Sequence, residues 1–275
     1  MVDGKLYIGL KKKMKIDLVS DLHVDIWGKI NSTEWLKYQV SDCLLVAGDT
    51  SDFVDITCEY LIFLKRFYDT ILVIDGNHEH EGLNYNIKKT ISLWTKSIKQ
   101  TGAHFLGDSP FTKNNIQFIG CNGWWSFDFG EPNISKKDCQ TRVVTKTRWN
   151  FFHMNQQFDQ GLIETDLLYK QMTDAQNDNN IKNIVVMTHT LPHTSCISWN
   201  IYPEDASFVG LYGNSRFKNI LDLDINKKLN YWCFGHNHDC KNIPYKQARL
   251  ISNPRGRPED WNRVDYRPLT LEIKP

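Results

Sequence analysis

A layered α/β fold is what this sequence predicts, and three observations carry the prediction. Seven short apolar runs have the length of strands, helix-length stretches separate several of them, and polar side chains collect just past the ends of five of the runs. Strands alternating with helices fit a layered α/β architecture better than an all-β sandwich.

The elements follow in order. Met14 begins the segment MKIDLVSDLH, so residues 16–19 read as the first core strand, residues 1–13 as an N-terminal extension and residues 14–275 as one domain. Ser32-Thr33-Glu34 opens a helix expected over 32–38. The second run, 44–47, leads to a helix over 56–68 with apolar residues at helical spacing, and the third, 71–74, leads to another over 85–99. The run 116–120 is followed by a polar, basic stretch over 128–149 that contains Lys136, Lys137, Arg142, Lys146 and Arg148. A solvated excursion is the plainer reading of that stretch, and a substrate-facing insertion the sharper one. A helix over 156–172 ends in the polar residues 174–180, and the runs 184–187, 231–234 and 250–251 complete the set. There is no internal repeat, and no linker long enough to separate a pair of domains.

Composition bounds the function. The 275 residues are 41% hydrophobic and 24% charged, and 33 Lys and Arg against 32 Asp and Glu leave a net charge of +1. The whole-molecule field therefore offers little attraction to nucleic acid or an anionic membrane, and any bound anion must be held locally. No stretch reaches the roughly 20 apolar residues of a membrane-spanning helix, and the first residues lack the apolar core of a secretory signal, so a cytoplasmic protein is expected. The seven cysteines include no Cys-x-x-Cys pair, which argues against a zinc ribbon or a disulfide framework. Cys43, Cys121 and Cys233 lie inside apolar runs and read as buried thiols, while Cys196 and Cys240 follow histidine-containing segments.

The chemistry lies at the strand ends. The runs deliver Asp21 and His23, Gly48-Asp49, Asp75-Gly76-Asn77-His78-Glu79, Thr188-His189 and Gly235-His236-Asn237-His238. In open α/β sheets the carboxyl edge of the strands is where ligands bind. Aspartate and histidine without thiolate suit manganese, iron or zinc. Asp21 and His23 are two apart, so in an extended segment they point to one side, and His236 and His238 repeat the spacing. The glycines before Asp49, Asn77 and His236 are expected to turn the backbone and let the next side chain approach without a competing Cβ. Asp21, His23, Asp49, Asn77, His189, His236 and His238 are too many ligands for one ion with an open position, and enough for two ions that share a carboxylate. Such two-metal sites stabilise both the attacking and the leaving oxygen of a displacement at phosphorus.

This ordered set resembles the calcineurin-like metallophosphoesterase superfamily, with motifs spanning Asp21 to His238. The resemblance implies a four-layered α-β-β-α sandwich with mixed central sheets. It implies a first metal on Asp21, His23, Asp49 and His238 and a second on Asn77, His189 and His236, with Asp49 as the bridge. The expected cofactors are two divalent transition-metal ions, manganese first, with iron, zinc or nickel as alternatives. Water bound there, its pKa lowered toward ~7, would attack phosphorus in line. His78 would contact the phosphate and assist the leaving group, and Glu79 would orient His78 or its loop. The segment Asn253-Pro254-Arg255-Gly256 is similar to the Asn-Pro-Arg-Gly-Tyr ending of a bacterial and phage branch, with Arg257 in place of Tyr. That makes Arg255 a phosphate-binding candidate beside Asn77 and His78.

Residues outside the motifs have plainer expectations. His104 and His153 read as structural, His80 as a solvated loop residue, and His193 as a cleft candidate, because Pro192 breaks any helical pairing with His189. Trp27, Trp124, Trp125 and Trp199 could stack on a base or aryl group, core packing being the plainer reading for each. The protein phosphatases of the superfamily have arginines in the stretches that here read Gly48-Asp49-Thr50-Ser51-Asp52-Phe53-Val54 and Asp75-Gly76-Asn77. Without them, and with Asp75 repelling a dianion if it faced the site, a small-molecule or nucleotide phosphoester is expected, diester or monoester, the diester tolerating the missing arginines better. A nuclease is the second enzyme reading, on the basic stretch near 142–148 and the arginines at 255, 257, 263 and 267, but the net charge is low for a polyanion binder. A non-catalytic interaction module is the third, disfavoured because all seven ligands and His78 are present.

Overall fold

The computed structural model describes residues 13–28, 31–83, 86–130, 134–146, 150–198, 206–260 and 265–274. Two mixed sheets face one another. The first has the order β11-β1-β2-β3-β4, formed by Leu269–Ile273, Met14–Val19, Cys43–Ala47, Thr70–Ile74 and His104–Phe105. The second has the order β5-β6-β7-β8-β10-β9, formed by Phe111–Lys113, Ile116–Cys121, Asn183–Thr188, Leu229–Phe234, Ala248–Ser252 and Lys241–Tyr245. β1 to β4 run parallel, as do β6, β7, β8 and β10, and antiparallel strands β11, β5 and β9 close three of the sheet edges.

Both faces of each central sheet are covered, which is why the strands read as continuous apolar runs instead of alternating ones. Ile16, Leu18, Leu45 and Leu72 of the first sheet meet Phe118, Val185, Met187 and Cys233 of the second. The opposite faces pack on helices. Leu44, Val46 and Val73 lie under α2 (Val54–Leu64) and α3 (Ile87–Thr101), and Ile119, Val186 and Trp232 under α5 (Phe151–Asn177) and α6 (Phe217–Asp222). The result is the four-layered α-β-β-α sandwich that the resemblance implies. Among the described residues no helix is long and apolar enough to cross a membrane.

All seven strand expectations hold, with ends shifted by one or two residues. α3 forms where expected because Ile87, Thr90, Trp94, Ile98 and Thr101 fall on one buried face and the Asn86 side chain accepts from Lys89 N at its start. The segment 32–38 is a 3₁₀ helix, Asn31–Tyr38, not an α-helix. Among its described residues Trp35 alone is fully buried, its indole donating to the Tyr60 hydroxyl at 3.1 Å, and that is little packing to hold an α-helical turn. α5 runs past 172 into the polar stretch because Ala175 and Gln176 are buried there, Gln176 donating to Asp224 at 2.7 Å.

The stretch 128–149 is not a plain solvated excursion. It contains α4 (Lys136–Lys146), which buries Cys139 and Val143 against Trp124 and Phe127, and Lys136 lies 3.4 Å above the Phe158 ring. Arg148, Trp199, Arg263 and residues 1–12 lie outside the described residues. Cys43, Cys121 and Cys233 are buried thiols as expected, and burial pushes Cys43 up to about 12.

Candidate metal centre

The carboxyl ends of β1, β2, β3, β7 and β8 come to one edge of the sandwich, and each is followed by a loop that delivers some of the site's side chains. Asp21 and His23 follow β1, Asp49 follows β2, and Asn77 and His78 follow β3. His189 follows β7, and His236 and His238 follow β8. These loops are not extended. Asp21, His23, Asp49, His236 and His238 have φ of 49°, 42°, 53°, 78° and 49°, so the two-residue spacing brings side chains together through left-handed turns, not through strand alternation. Non-glycine residues in that region cost of order 1 kcal/mol each and persist where the surroundings over-determine them, which is typical of functional sites.

Glycine is required for closeness more than for turning. A Cβ on Gly76 would lie 2.1 Å from Asp49 Oδ1, and one on Gly235 would lie 2.5 Å from Asp21 Oδ2. Neither has a positive φ, whereas Gly48, at 82°, does.

Asp21, His23, Asp49 and His238 offer ligand atoms that all lie within 4.8 Å of one another. His23 Nε2 is 3.1 Å from His238 Nε2, and His238 Nε2 is 3.5 Å from Asp21 Oδ1. His238 Nδ1 donates to Asp260, which leaves Nε2 facing the cluster as a lone pair. Next to this set, Asn77 Oδ1 is 3.2 Å from His189 Nε2 and 2.9 Å from His236 Nδ1, and His189 Nε2 is 3.1 Å from Asp49 Oδ2. His189 Nδ1 donates to the Ala47 carbonyl at 3.0 Å and His236 Nε2 to the Leu211 carbonyl at 3.0 Å, so each points its other nitrogen inward. All seven expected ligands are thus brought to one place, and Asp49 touches both sets.

The donor chemistry fits a cation. Asp21 is fully buried, its Oδ2 accepts no hydrogen bond among the described residues, and burial pushes its carboxyl above the usual range. A desolvated carboxylate oxygen without a donor is costly unless something positive neutralises it. Burial lowers His23 to about 2 and His236 to about 3, which keeps both rings neutral, the state in which imidazole ligates a metal. The lone pairs of His236 Nδ1 and Asn77 Oδ1 face one another at 2.9 Å, an arrangement that a cation between them relieves. Burial opposes charge on Asp49 and on His189, but each outweighs it for the other: Asp49 stays well below the carboxylate range and His189 rises to about 9.

No hydrogen bond among the described residues joins the Glu79 side chain to the His78 ring, and of the two expectations for Glu79 it is the loop that its carboxylate holds. Glu79 is buried, and its carboxylate accepts from Asp49 N at 3.1 Å, Thr50 N at 2.6 Å and Gly76 N at 2.6 Å, clamping the β2 and β3 loops together. Burial and then the Asp49 carboxylate push it up to about 8, with the N–H donors pulling down. In Glu79→Gln an NH2 replaces one of those oxygens and faces a backbone N–H, so we expect a loss of about 2 kcal/mol in urea unfolding. An unchanged unfolding midpoint would count against the clamp.

His78 is oriented by residues the motif did not point to. Its Nδ1 is 2.7 Å from Asp52 Oδ1 and 3.2 Å from Glu81 Oε2, its backbone N donates to Asp49 Oδ1 at 2.9 Å, and its ring meets that of His23 edge-on at 4.8 Å. Burial works against charge on the ring, but Asp49, Asp52 and Glu81 hold its proton affinity well above the ordinary value. Asp52 lies three residues past Asp49 on the same loop, the one signal that could have found it. Asp260 and Arg257, which reach His238 and His78, come from the far end of the chain and leave no local signal.

Four expectations change. His80 is no loop residue in solvent: it is fully buried, donates to Asp75 at 2.8 Å and lies against Trp124. Asp75 is turned inward toward His80 and Asn122, so it does not face a substrate, and the charge argument against a monoester falls with it. His193 caps a 3₁₀ turn, and its ring lies tilted against that of Tyr245 at 5.2 Å, which gives it a structural role. Arg255 is buried, with its guanidinium 4.1 Å above the Trp27 ring, and it is Arg257 whose guanidinium reaches His78. Trp124 and Trp125 are core residues. His104, as expected, is structural, with Nε2 on the Ser109 carbonyl at 2.8 Å.

Comparison with known proteins agrees with this geometry. Uncharacterized protein L509 of Acanthamoeba polyphaga mimivirus is 25% identical over 270 residues, covering 90% of this chain and 92% of that protein. The crystal structure of the phosphopantetheinyl hydrolase PptH from Mycobacterium tuberculosis superposes with a TM-score of 0.67 at 14% identity, covering 96% of each chain, which shows a common fold. The family model for calcineurin-like phosphoesterases matches residues 14–240, the span that holds every motif residue from Asp21 to His238. The chain therefore belongs to the calcineurin-like phosphoesterase family.

Proposed function

We propose that this protein hydrolyses phosphoesters at a centre for two divalent transition-metal ions, manganese by preference, acting on a small-molecule or nucleotide substrate. The observation that carries this reading is the convergence of seven side chains with metal-ligand atoms, two of them buried carboxylates, at one sheet edge, with the His78 ring beside them. Asp21, His23, Asp49 and His238 would hold one ion, and Asn77, His189 and His236 with Asp49 the other. When bound, the pair supplies Lewis acidity at phosphorus and makes water acidic enough to act as a nucleophile at neutral pH.

The chain's own residues do the rest. Asp260, Leu211 and Ala47 fix the ring orientations of His238, His236 and His189, so that Nε2 of His238, Nδ1 of His236 and Nε2 of His189 point inward. Asp52 fixes His78 through Nδ1, which leaves Nε2 as the atom that can give a proton to the leaving oxygen. The nuclease reading gains no support. Arg255 lies on Trp27, Arg267 on Tyr38 and Lys136 on Phe158, so these side chains do not form one basic track.

The test is metal analysis of the purified chain after loading with manganese, together with hydrolysis of p-nitrophenyl phosphate and bis-p-nitrophenyl phosphate. Two ions per chain and turnover of at least one ester are expected. Less than one ion per chain with no turnover would overturn the reading.

A further inference from the structure

We infer that Arg257 binds the non-bridging oxygens of the substrate's phosphoryl group and that, with His78, it makes this centre a site for a phosphomonoester dianion. The inference rests on the phosphoesterase reading above and narrows its substrate class.

The arginine is built into the site through its backbone. Residues 253–256 lie alongside the end of β1: Ser20 N donates to the Asn253 carbonyl at 3.1 Å, Arg255 N to the Ser20 carbonyl at 2.9 Å and Gly256 N to the Asp21 carbonyl at 2.9 Å. Trp27 Nε1 donates to the Gly256 carbonyl at 2.8 Å. Arg257 N then donates to Asp260 Oδ2 at 2.7 Å, the carboxylate that also holds His238. The residue's main chain is therefore tied on one side to Asp21 and on the other to a partner of His238, so the origin of its side chain is fixed relative to the cluster.

The guanidinium crosses to His78. Nη2 lies 3.1 Å from His78 Nε2, and since Nδ1 of that ring is engaged by Asp52, Nε2 is the nitrogen left for a substrate. Arg257 Nε is shielded from solvent and has no acceptor among the described residues. A buried, charged donor without an acceptor is an expensive arrangement unless a ligand supplies one. Phosphoryl oxygens do so well, because the fork of an arginine matches them two at a time. An oxygen placed between Nη2 and Nε2 would accept from both groups that now face each other.

This arginine arises at the C-terminal end of the chain, whereas the stretches following β2 and β3 have none. Asp75 faces away, and the β3 loop's Glu81 lies at His78 Nδ1, 3.2 Å off, while the Arg257 guanidinium lies at Nε2. The second negative charge of a monoester gains from that cation, and a diester has no such charge to present.

Binding of inorganic phosphate to the manganese-loaded chain, measured by titration calorimetry, tests the inference independently of turnover. In Arg257→Gln the dissociation constant for phosphate should rise about 30-fold. In Arg257→Lys, which keeps the charge and loses the fork, it should rise by an intermediate factor, with metal content and melting temperature unchanged in both. The kcat/KM for p-nitrophenyl phosphate should fall at least tenfold more than that for bis-p-nitrophenyl phosphate. Phosphate binding within threefold of wild type in Arg257→Gln, no phosphate binding by the wild-type chain, or equal losses on the two esters would each overturn it. If the wild-type chain hydrolyses neither ester while Arg257→Gln still loses phosphate, the phosphoesterase reading fails and the phosphate site stands.

Discussion

Asp49→Ala should lower phosphoester hydrolysis by about 10³-fold or more and reduce bound manganese from two ions per chain to one or fewer. Among the described carboxylates, Asp49 is the one that lies against both sets of candidate ligands. Its carboxylate belongs to the set with Asp21, His23 and His238, and its Oδ2 is 3.1 Å from His189 Nε2, in the set with Asn77 and His236. Removing it would take away the proposed shared ligand and one of the two carboxylates, Asp21 and Asp49, that the cluster holds. It also removes the acceptor for the His78 backbone N–H, 2.9 Å away, so the loop that positions His78 loses an anchor. Inductively coupled plasma mass spectrometry gives the stoichiometry, and circular dichroism melting separates loss of metal from loss of fold. Activity within tenfold of wild type, with two ions retained, would contradict the assignment of Asp49 as the shared carboxylate.

The strands and the convergence of the seven candidate ligands at one sheet edge were legible because local pattern and tertiary position agree. β2, β3 and β7 are buried on both faces, so their sequences had to be continuous apolar runs, and the residues just beyond them had to be the ones at the sheet edge. Where local pattern and tertiary position diverge, the reading diverged too. Asp75 stands one residue from the Gly76-Asn77 turn and looked exposed to substrate, but the strand's last alternation aims it at His80 and Asn122, which no local pattern displays. Residues 128–149 looked solvated because their charges are local, while the burial of Cys139 and Val143 under Phe127 is not. Asp260 and Arg257 act on His238 and His78 from 22 and 179 residues away, and only the folded chain brings them there.

His78→Ala should keep both ions and lose about 10³-fold in turnover, the opposite pattern to a ligand substitution. His78 is beside the cluster, with its ring edge-on to that of His23 at 4.8 Å; Nδ1 is held by Asp52 and Glu81, and Nε2 faces Arg257. A side chain so held adds nothing to ligand count, so metal content should not change. It does hold a proton site at a defined place. Asp49, Asp52 and Glu81 raise the ring's affinity for a second proton, and Arg257 Nη2 occupies the position where that proton would sit. Once an anionic oxygen draws the guanidinium away, Nε2 would take a proton from solvent water, give it to the leaving oxygen as the P–O bond breaks, and be reprotonated from solvent for the next turnover. Asp52→Asn should therefore act in the same direction through His78 while being milder, about tenfold, because the amide still accepts from Nδ1 but no longer favours the charged ring. The losses should be largest for esters with poor leaving groups, and should shrink for p-nitrophenyl esters, whose leaving oxygen needs little protonation. Equal losses across leaving groups, measured as kcat for a series of aryl and alkyl phosphates, would remove His78 from proton transfer and leave it only a role in binding charge.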